Sequence, residues 1–517
     1  MTPSEQAAIG GAISTSHHLA TEAGARMLRR GGSAIDAAIA AAATLCVVYP
    51  NNVALGGDLV ALVRDPSGHT TFVNATGRAP RAVDPDTLRA KYGSALPDRG
   101  IDTITVPGGL RGWERLATLG ARLTWCELLE DAHTHANEHP VARSVARALA
   151  NEAAQLSADP GFAAVFQPNG EPLRAGAPLR QPALSDTIGV LREHGPGAFY
   201  AGPLADAWIT GLRSLGHAVD AHDAANIAAS LDEPLRGTAL GLDVLTTPPN
   251  TQGFALLRAL RAVEEQRLSD PLGADAGALA AIFDEGNRIR SRWLADPDVG
   301  LTGAELIASV APRQHVTDAR AATGDTVGLV AVDDDGWAVS LVQSVYWAFG
   351  SGVLEPNTGV LFQNRGTAFS LDPAHPAAIA PGRRPPHTLM PVLVTKSGEL
   401  AYANATMGGQ GQAQIHTQLL LRLTAGADAG AATSAPRWVV GAQDDDDRAS
   451  TLRIEADVNE SARASLASAD FNEKIVPPHS ESLGHSNVIR ATVDGWDAAS
   501  DPRSDGSAII VPSGSPR

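Results

Sequence analysis

The chain has 517 residues, of which 44% are apolar, and a formal net charge of −17 at pH 7. That length can bury a large core, and the acidic balance without a basic stripe argues against nucleic acid and anionic membrane surfaces as partners. Its two cysteines, Cys46 and Cys126, provide no disulfide framework.

The start of the chain has neither the basic segment nor the apolar segment of a signal peptide. Its most apolar early run, Ala37 to Val48, is too short to span a bilayer. We therefore expect a cytoplasmic protein. The cysteines and histidines lack a zinc-binding spacing, and there is no phosphate-binding loop pattern, so we expect neither a metal nor another cofactor.

Two helices are predicted in the first 50 residues. Residues 16–30 place apolar side chains at the spacing of one helical face, and Gly31-Gly32 ends that helix. Ser33 caps a second helix that runs to about Val47.

The rest of the chain divides into a helical middle and a part rich in strands. Alanine, leucine, arginine and glutamate patterns predict helices from about Trp113 to Leu268. From Asp325 onward strand patterns dominate, with one further helix predicted at Gln412 to Leu423.

Thr326 starts a predicted hairpin of two buried strands. The turn is Asp334-Asp335-Gly336, with Gly336 in the left-handed conformation. Counting back along the ladder sets Thr326 roughly opposite Ser344, so two hydroxyl groups meet at the open end of the hairpin. Taken alone, Thr326 is an ordinary β-branched strand residue. Its hydroxyl becomes a nucleophile if the chain is cut just before it, because its own α-amino group, with a pKa of about 7.7 to 8.0, then serves as a base.

Short motifs are spread over nearly the whole chain. In the first part they are His17–Ala20, Gly31–Ala38, Pro50, Gly56-Gly57 and Arg78–Pro80. In the second part they are Asp325-Thr326 with its hairpin, Phe349–Val353, Arg384-Pro385, Met407–Gly409 and Asp501–Gly506. In order and spacing they resemble the gamma-glutamyltransferase family, whose members are self-cleaving N-terminal-nucleophile hydrolases.

The resemblance implies an α+β fold, a four-layer αββα sandwich, made as one precursor that cuts itself between Asp325 and Thr326. Residues 1–325 and 326–517 would then be the large and small subunits of one intertwined domain. We expect a heterodimer of these two fragments and leave a higher homo-oligomer open. Thr326 is the implied nucleophile, Ser344 orients its amino group, and the N–H groups of Gly408 and Gly409 form the oxyanion hole.

The substrate-binding positions depart from the family pattern. Thr76 stands where the family has an arginine for the substrate α-carboxylate, and Arg78 is the nearest replacement. An ordinary surface arginine is the alternative interpretation of Arg78. Ala368 stands in place of an aspartate that would pair with a substrate ammonium.

Other changes add a cation and a phenol. Tyr346 and Arg365 replace two amide side chains, and His387-Thr388 replace a serine pair. We expect these residues to bind a small substrate that carries a carboxylate but no free α-ammonium beside it. In the alternative interpretation, Arg365 pairs with an acidic neighbour across a loop.

The pattern is similar to the acylase-like and oxamate amidohydrolase-like branch of the family. The leading hypothesis is therefore a threonine hydrolase that cleaves an amide or acyl bond. True γ-glutamyl transfer and the cleavage of a C–C bond beside an oxo-acid group are the alternatives within the enzyme class. A chain that stays unprocessed and serves as a binding protein is the alternative outside it.

Overall fold

The structure is a computed structural model that describes residues 10–312, 325–443 and 446–514, with Asp325 described through its backbone. It contains both helices and sheets throughout, which confirms the predicted mixed class. None of the described helices has a stretch long and apolar enough to cross a lipid bilayer.

The strands of the described residues are numbered in chain order. They are β1 Gly11–Thr15, β2 Asp58–Arg64, β3 Thr70–Ala75, β4 His139–Pro140, β5 Pro178–Leu179, β6 Ser230–Asp232, β7 Leu235–Ala239, β8 Leu242–Thr246, β9 Asp325–Asp333, β10 Ala338–Tyr346, β11 Leu354–Glu355, β12 Val360–Leu361, β13 Val392–Lys396, β14 Glu399–Thr406, β15 Trp438–Val440, β16 Thr451–Glu455, β17 Asn472–Val476, β18 Ser486–Thr492, β19 Gly495–Ser500 and β20 Ser507–Val511.

The α-helices are numbered in the same way. They are α1 His18–Arg29, α2 Ala34–Val48, α3 Pro85–Tyr92, α4 Gly109–Gly120, α5 Trp125–Leu128, α6 Glu130–Asn137, α7 Arg143–Leu156, α8 Pro160–Phe166, α9 Pro182–His194, α10 Pro203–Ser214, α11 Ala221–Asn226, α12 Gly253–Glu265, α13 Ala276–Trp293, α14 Gly303–Ala308, α15 Gln412–Thr424, α16 Ala429–Ser434 and α17 Glu460–Ala467. Short 3₁₀ turns include Arg365–Ala368 and Gly409–Gly411.

The first large sheet has seven strands in the order β20, β1, β9, β10, β2, β3, β6. All of its neighbouring strands are antiparallel. Strands that precede and follow residue 325 in the chain therefore lie side by side in one sheet. The predicted hairpin, β9 and β10, occupies its centre, and β10 is buried along its whole length because both faces of the sheet are covered.

The second large sheet has six strands in the order β19, β18, β14, β13, β8, β7, and it packs face to face on the first. Val330 of β9, Leu393 of β13 and Ala403 of β14 belong to the apolar cluster between them. The sheets approach closely at Gly328, where an added Cβ would lie 2.7 Å from the backbone nitrogen of Thr406. A residue without a side chain is needed there because the opposing backbone leaves no room.

Helices cover the outer face of each sheet. α1 and α2 pack with β9 and β1 in the largest apolar cluster, and α12 and α15 pack on the second sheet. The capping box that begins α2 joins Ser33 and Asp36, which confirms the predicted cap at Ser33. The carboxylate of Asp36 also accepts hydrogen bonds from the backbone N–H groups of Arg122 and Leu123, so this cap also holds the chain after α4.

The predicted helix boundaries at α1, α2 and α15 agree with the structure to within about two residues. The predicted helical middle was incomplete, because β6, β7 and β8 lie within it. The short β7–β8 hairpin is stabilised by pairing with β13, which lies about 150 residues further along the chain. The residues of the β7–β8 hairpin alone therefore indicate strand structure only weakly.

The Asp501–Gly506 motif has a structural role. The Arg503 side chain is fully buried and donates hydrogen bonds to Glu455 at 2.8 Å and to Asp501 at 2.9 Å. Arg437 donates to the other oxygen of Asp501 at 2.5 Å. The Asp505 carbonyl accepts from the N–H of His18 at 3.0 Å, so the motif also joins the two ends of the chain.

Candidate active site

The turn of the central hairpin fixes the register of its two strands. Asp333 and Trp337 close a three-residue loop in which Gly336 has a φ of +99°, the predicted left-handed conformation. The ladder is regular as far as the pair Gln343 and Val327, and it then shifts so that Tyr346 lies opposite Asp325. This shift is a β-bulge, in which two residues of β10 face one residue of β9.

The regular register, continued by one pair beyond Gln343 and Val327, places Ser344 opposite Thr326, where the bulge begins. The Thr326 Oγ1 donates a hydrogen bond of 2.9 Å to the Ser344 Oγ, and both residues are buried. The prediction that the two hydroxyl groups meet at the open end of the hairpin is confirmed. The backbone N–H of Tyr346 donates to the same Ser344 oxygen at 2.7 Å. Tyr346 has a φ of +84°, an unfavourable conformation for a residue with a side chain, and such strain is concentrated at functional sites.

Asn51 and Asn52 hold Thr326 from the other side. The Asn52 Nδ2 donates to the Thr326 carbonyl oxygen at 3.1 Å, and the Asn51 Nδ2 donates to Asn52 Oδ1 at 2.6 Å. This pair was not among the site residues predicted from the sequence. Its signal was the presence of two adjacent amides directly after Pro50, within a buried stretch.

β14 leads toward the same place. Ser340 of β10 donates to the carbonyl oxygen of Asn404, and Gly328 lies against the backbone of Thr406. The start of β9 therefore lies near the end of β14. Two residues before Gly328 on β9 is Thr326, and about two residues after Thr406 is the turn at residues 407–409, so Thr326 is expected beside that turn.

Gly408 and Gly409 form that turn with φ values of +144° and +50°. Both values lie in the left-handed region, which favours glycine. In the part of the chain that the structure describes, neither of their N–H groups donates a hydrogen bond. Two adjacent amide donors are therefore available to a bound group.

A cavity of about 360 Å³ opens beside Gly408. The residues that line it on the side of the nucleophile are Asn51, Trp347, Ala348 and Met407. Its cations are neutralised, because Arg99 pairs with Glu152 at 2.7 Å and Arg147 pairs with Glu481. The cavity is thus a polar space with compensated charges next to the two amides.

Arg365 lies under the ring of Tyr346. Its side chain is buried, and its guanidinium carbon is 3.9 Å from the centre of that ring. The Nε donates to the Pro386 carbonyl at 2.9 Å, and Nη1 donates to the Thr388 Oγ1 at 3.3 Å. Burial lowers the pKa of Arg365 to about 10, so the group stays charged at neutral pH. No carboxylate of the described residues lies within ion-pair distance of Arg365, so none of them is the acidic neighbour of the alternative interpretation.

His387 is bound to a carboxylate that the sequence analysis missed. Asp58 of β2 lies opposite Ser344 in the ladder, and it accepts a hydrogen bond from the His387 Nε2 at 3.1 Å. Burial, followed by the charge of Arg365, lowers the pKa of His387 to about 4, so the ring is neutral at pH 7. Its Nδ1 is then an acceptor, and it has no hydrogen-bond partner among the described residues. The feature of the sequence that could have indicated Asp58 as a site residue is its position directly after the Gly56-Gly57 motif.

Comparison with known proteins agrees with this geometry. Residues 20–511 match the model of the gamma-glutamyltranspeptidase family. The chain belongs to this family. It is 34% identical to the oxamate amidohydrolase proenzyme of Klebsiella pneumoniae, over 95% of this chain and 97% of that protein. It is 32% identical to the glutathione hydrolase-like YwrD proenzyme of Bacillus subtilis, over 96% and 97% of the two chains.

A solved structure is also similar over nearly the whole length. The cephalosporin acylase from Bacillus halodurans superposes with a TM-score of 0.85 at 28% identity, covering 98% of this chain and 96% of that one. The protein is therefore an enzyme, an N-terminal-nucleophile hydrolase of the gamma-glutamyltranspeptidase family, whose members hydrolyse amide bonds. The resemblance found in the sequence is confirmed.

Most of the residues predicted from the family pattern come together. Thr326, Ser344, Tyr346, Arg365, His387 and Thr388 are joined by the contacts above, directly or through Asp58. Arg78 is not among them. Its Nη1 donates to the carbonyl of Gly382 at 2.8 Å, and no hydrogen bond or ion pair among the described residues connects it to this group. Its role in substrate binding stays a prediction that Arg78→Ala tests.

The expected cleavage site lies at the border of the described residues. Asp325 is the first residue of β9, and its backbone lies opposite Tyr346. Its side chain and residues 313–324 lie outside the description, and with them most of the segment expected to be cut.

Proposed function

We propose that this enzyme matures by cutting its own peptide bond between Asp325 and Thr326, and that Thr326 then hydrolyses an amide or related acyl bond of a small substrate bearing a carboxylate. The observation that carries the proposal is the 2.9 Å hydrogen bond from Thr326 to Ser344 at the open end of a buried hairpin. It holds a hydroxyl group in one orientation, next to the residue whose peptide bond would be cut.

The reaction uses groups that the site already holds. Cleavage frees the α-amino group of Thr326, which takes the proton of the hydroxyl while Oγ1 attacks the substrate carbonyl carbon. The N–H groups of Gly408 and Gly409 stabilise the oxyanion that forms. The C–N bond then breaks, and the new ammonium returns the proton to the leaving nitrogen. Water attacks the acyl-threonine with the same amine as base and restores the enzyme.

The carboxylate requirement follows from the charges around the nucleophile. Arg365 is a buried cation with no acidic partner among the described residues, and a substrate carboxylate would compensate it. Ala368 offers no charge for a substrate ammonium. The relative named for oxamate, the amide of a two-carbon acid with a free carboxylate, supports a substrate of this class.

Transfer or hydrolysis of γ-glutamyl groups is the second candidate, because the YwrD relative is named as glutathione hydrolase-like. A γ-glutamyl substrate needs a partner for its α-ammonium. Asp58 is a buried carboxylate near Ser344, but it already accepts from Gly108, Gln363 and His387. The first candidate is therefore favoured.

The finer architecture is part of the proposal. The packing order of helices, sheet, sheet and helices supports a four-layer αββα sandwich. The two fragments would stay together as a heterodimer, since each large sheet takes strands from both sides of residue 325.

Intact mass and substrate turnover test the proposal. Purified protein should contain two fragments, residues 1–325 and 326–517, and it should hydrolyse oxamate or short N-acylated acids. Turnover of a γ-glutamyl anilide alone would favour the second candidate. A chain that stays full length on a denaturing gel after long incubation would rule out both.

A further inference from the structure

A second arginine lies close to the proposed active site and has no carboxylate partner among the residues that the structure describes. Arg290, on α13, donates from Nη2 to the side-chain oxygen of Gln410, which directly follows Gly409. Its Nε is buried and has no hydrogen-bond partner among the described residues. The neighbouring arginines of the helix differ, since Arg288 pairs with Asp284 at 3.0 Å and Arg292 is exposed beside Trp293.

One side chain connects the surroundings of Arg290 and Arg365. The Gln252 Nε2 donates to the carbonyl of Thr388 at 2.7 Å and to the carbonyl of Gly409 at 2.8 Å. Thr388 accepts a hydrogen bond from Arg365, and Gly409 precedes Gln410, which accepts a hydrogen bond from Arg290. The two guanidinium groups therefore contact adjoining parts of one hydrogen-bonded unit, the glycine turn with the Thr388 segment.

The charges around this place do not balance. Burial lowers the pKa of Arg290 and of Arg365, and the charge of Arg290 contributes to the shift at Arg365, as expected for two nearby cations. Asp58 is the carboxylate that acts on Arg365, but its oxygens are bound by Gln363, His387 and the N–H of Gly108. Among the described residues, these two cations and one occupied carboxylate leave an excess positive charge in a buried region, where an unpaired charge is costly.

We propose that Arg290 and Arg365 together form a carboxylate-binding subsite for the acyl portion of the substrate, with the Tyr346 ring packed against the Arg365 guanidinium. Arg290 is the specificity residue that the sequence pattern did not reveal. The inference rests on the proposed function and extends it, because it assigns recognition to two cations from distant parts of the chain. It also predicts that the enzyme binds small carboxylates that contain no bond to cleave.

Binding of such anions gives a test that does not depend on catalysis. The mature protein is titrated by calorimetry with malonate and succinate at constant ionic strength, and with the neutral dimethyl ester of malonate. At least one of the two anions should bind, and the ester should not. Arg290→Gln and Arg365→Gln should each weaken that binding by about tenfold or more, as expected for the loss of a charge-assisted hydrogen bond.

Matched variants separate recognition from folding. Arg292→Gln removes an exposed cation two positions along the same helix and should bind like the wild type. Arg290→Lys keeps the charge and should retain part of the affinity, and melting curves identify any variant that fails to fold. The inference is overturned if neither anion binds to the wild type, or if folded Arg290→Gln binds it as well as the wild type does.

The same samples distinguish this inference from the proposed function. Anion binding that depends on both arginines, in a protein that hydrolyses no acyl substrate, would leave the subsite standing and remove the proposed reaction. Hydrolysis of neutral amides without anion binding would remove the subsite and leave the proposed nucleophile standing.

Discussion

The hydroxyl of Thr326 donates a 2.9 Å hydrogen bond to the Ser344 oxygen, because the register of the hairpin sets the two residues opposite each other. A β-bulge in β10 begins at this pair and places two residues opposite one residue of β9. The same Ser344 oxygen accepts from the backbone N–H of Tyr346. Ser344 is therefore held by the backbone and can orient Thr326 without moving itself.

Ser344→Ala removes that orienting contact. We expect slower self-cleavage and a kcat lower by about tenfold to a hundredfold, corresponding to the loss of one buried hydrogen bond. Gel assays of processing and steady-state kinetics measure both effects. Ser340→Ala is the control on the same strand, because its hydroxyl bonds the Asn404 carbonyl and serves sheet packing. Ser340→Ala should reduce stability but leave kcat unchanged. If Ser344→Ala is processed and turns over substrate like the wild type, the role given to Ser344 is contradicted.

Gly408→Ala should lower kcat through the proposed oxyanion site. At a φ of +144° an alanine is strained, and its Cβ would lie 2.4 Å from the end of the Ile415 side chain. We expect a loss of about 1 to 3 kcal/mol in stability together with reduced turnover. Gly426→Ala shares the positive φ but has nothing within 4 Å of the added Cβ. It should lose stability alone, so equal kcat values in the two folded variants would refute the oxyanion role.

Asp58→Asn should destabilise the fold. His387 and Gln363 donate to different oxygens of Asp58, and an asparagine replaces one of these oxygens with an N–H₂ group that faces the donor. The expected loss in the free energy of unfolding is about 2 to 4 kcal/mol, measured by urea denaturation. Asp494→Asn, at an exposed loop, should change stability by less than about 0.5 kcal/mol. A fully stable Asp58→Asn would show that these hydrogen bonds contribute little.

Acid should destabilise the protein through its buried histidines. Burial lowers the pKa of His416 to about 3 and that of His387 and His485 to about 4, from an ordinary value of 6.5. The unfolded chain therefore binds more protons than the folded one as the pH falls below 6.5, and stability decreases down to about pH 4. Above pH 6.5 these rings are neutral in both states and contribute no pH dependence.

His416→Leu tests this account. It removes one of the titrating groups, so its stability should depend less steeply on pH between 6.5 and 4, by up to about 1.4 kcal/mol per pH unit. Urea denaturation at a series of pH values measures the slope. His222→Gln replaces an exposed histidine and should keep the wild-type slope. An unchanged slope in His416→Leu would show that this ring titrates normally.

Local signals predicted the part of the site that lies on the hairpin. The loop with Gly336 set the register, and the register set Ser344 against Thr326. The bulge that follows this contact was not predicted, and it brings Tyr346, whose ring packs against Arg365, opposite Asp325. The hairpin of β7 and β8 was missed for a similar reason, since its partner strand is distant in sequence.

The sequence by itself determined the helix caps, the central hairpin and the family, because capping boxes, turn glycines and motif order are properties of short segments. The tertiary structure alone decided that Asp58 bonds His387, 329 positions away, and that Arg290 lies beside Gln410, 120 positions away. The sequence around a charged side chain on a strand or helix does not show which distant group will bind it. Its partner is whichever group the packing of distant elements leaves within reach, and in the described part of the chain that packing leaves Arg290 and Arg365 without a carboxylate at ion-pair distance.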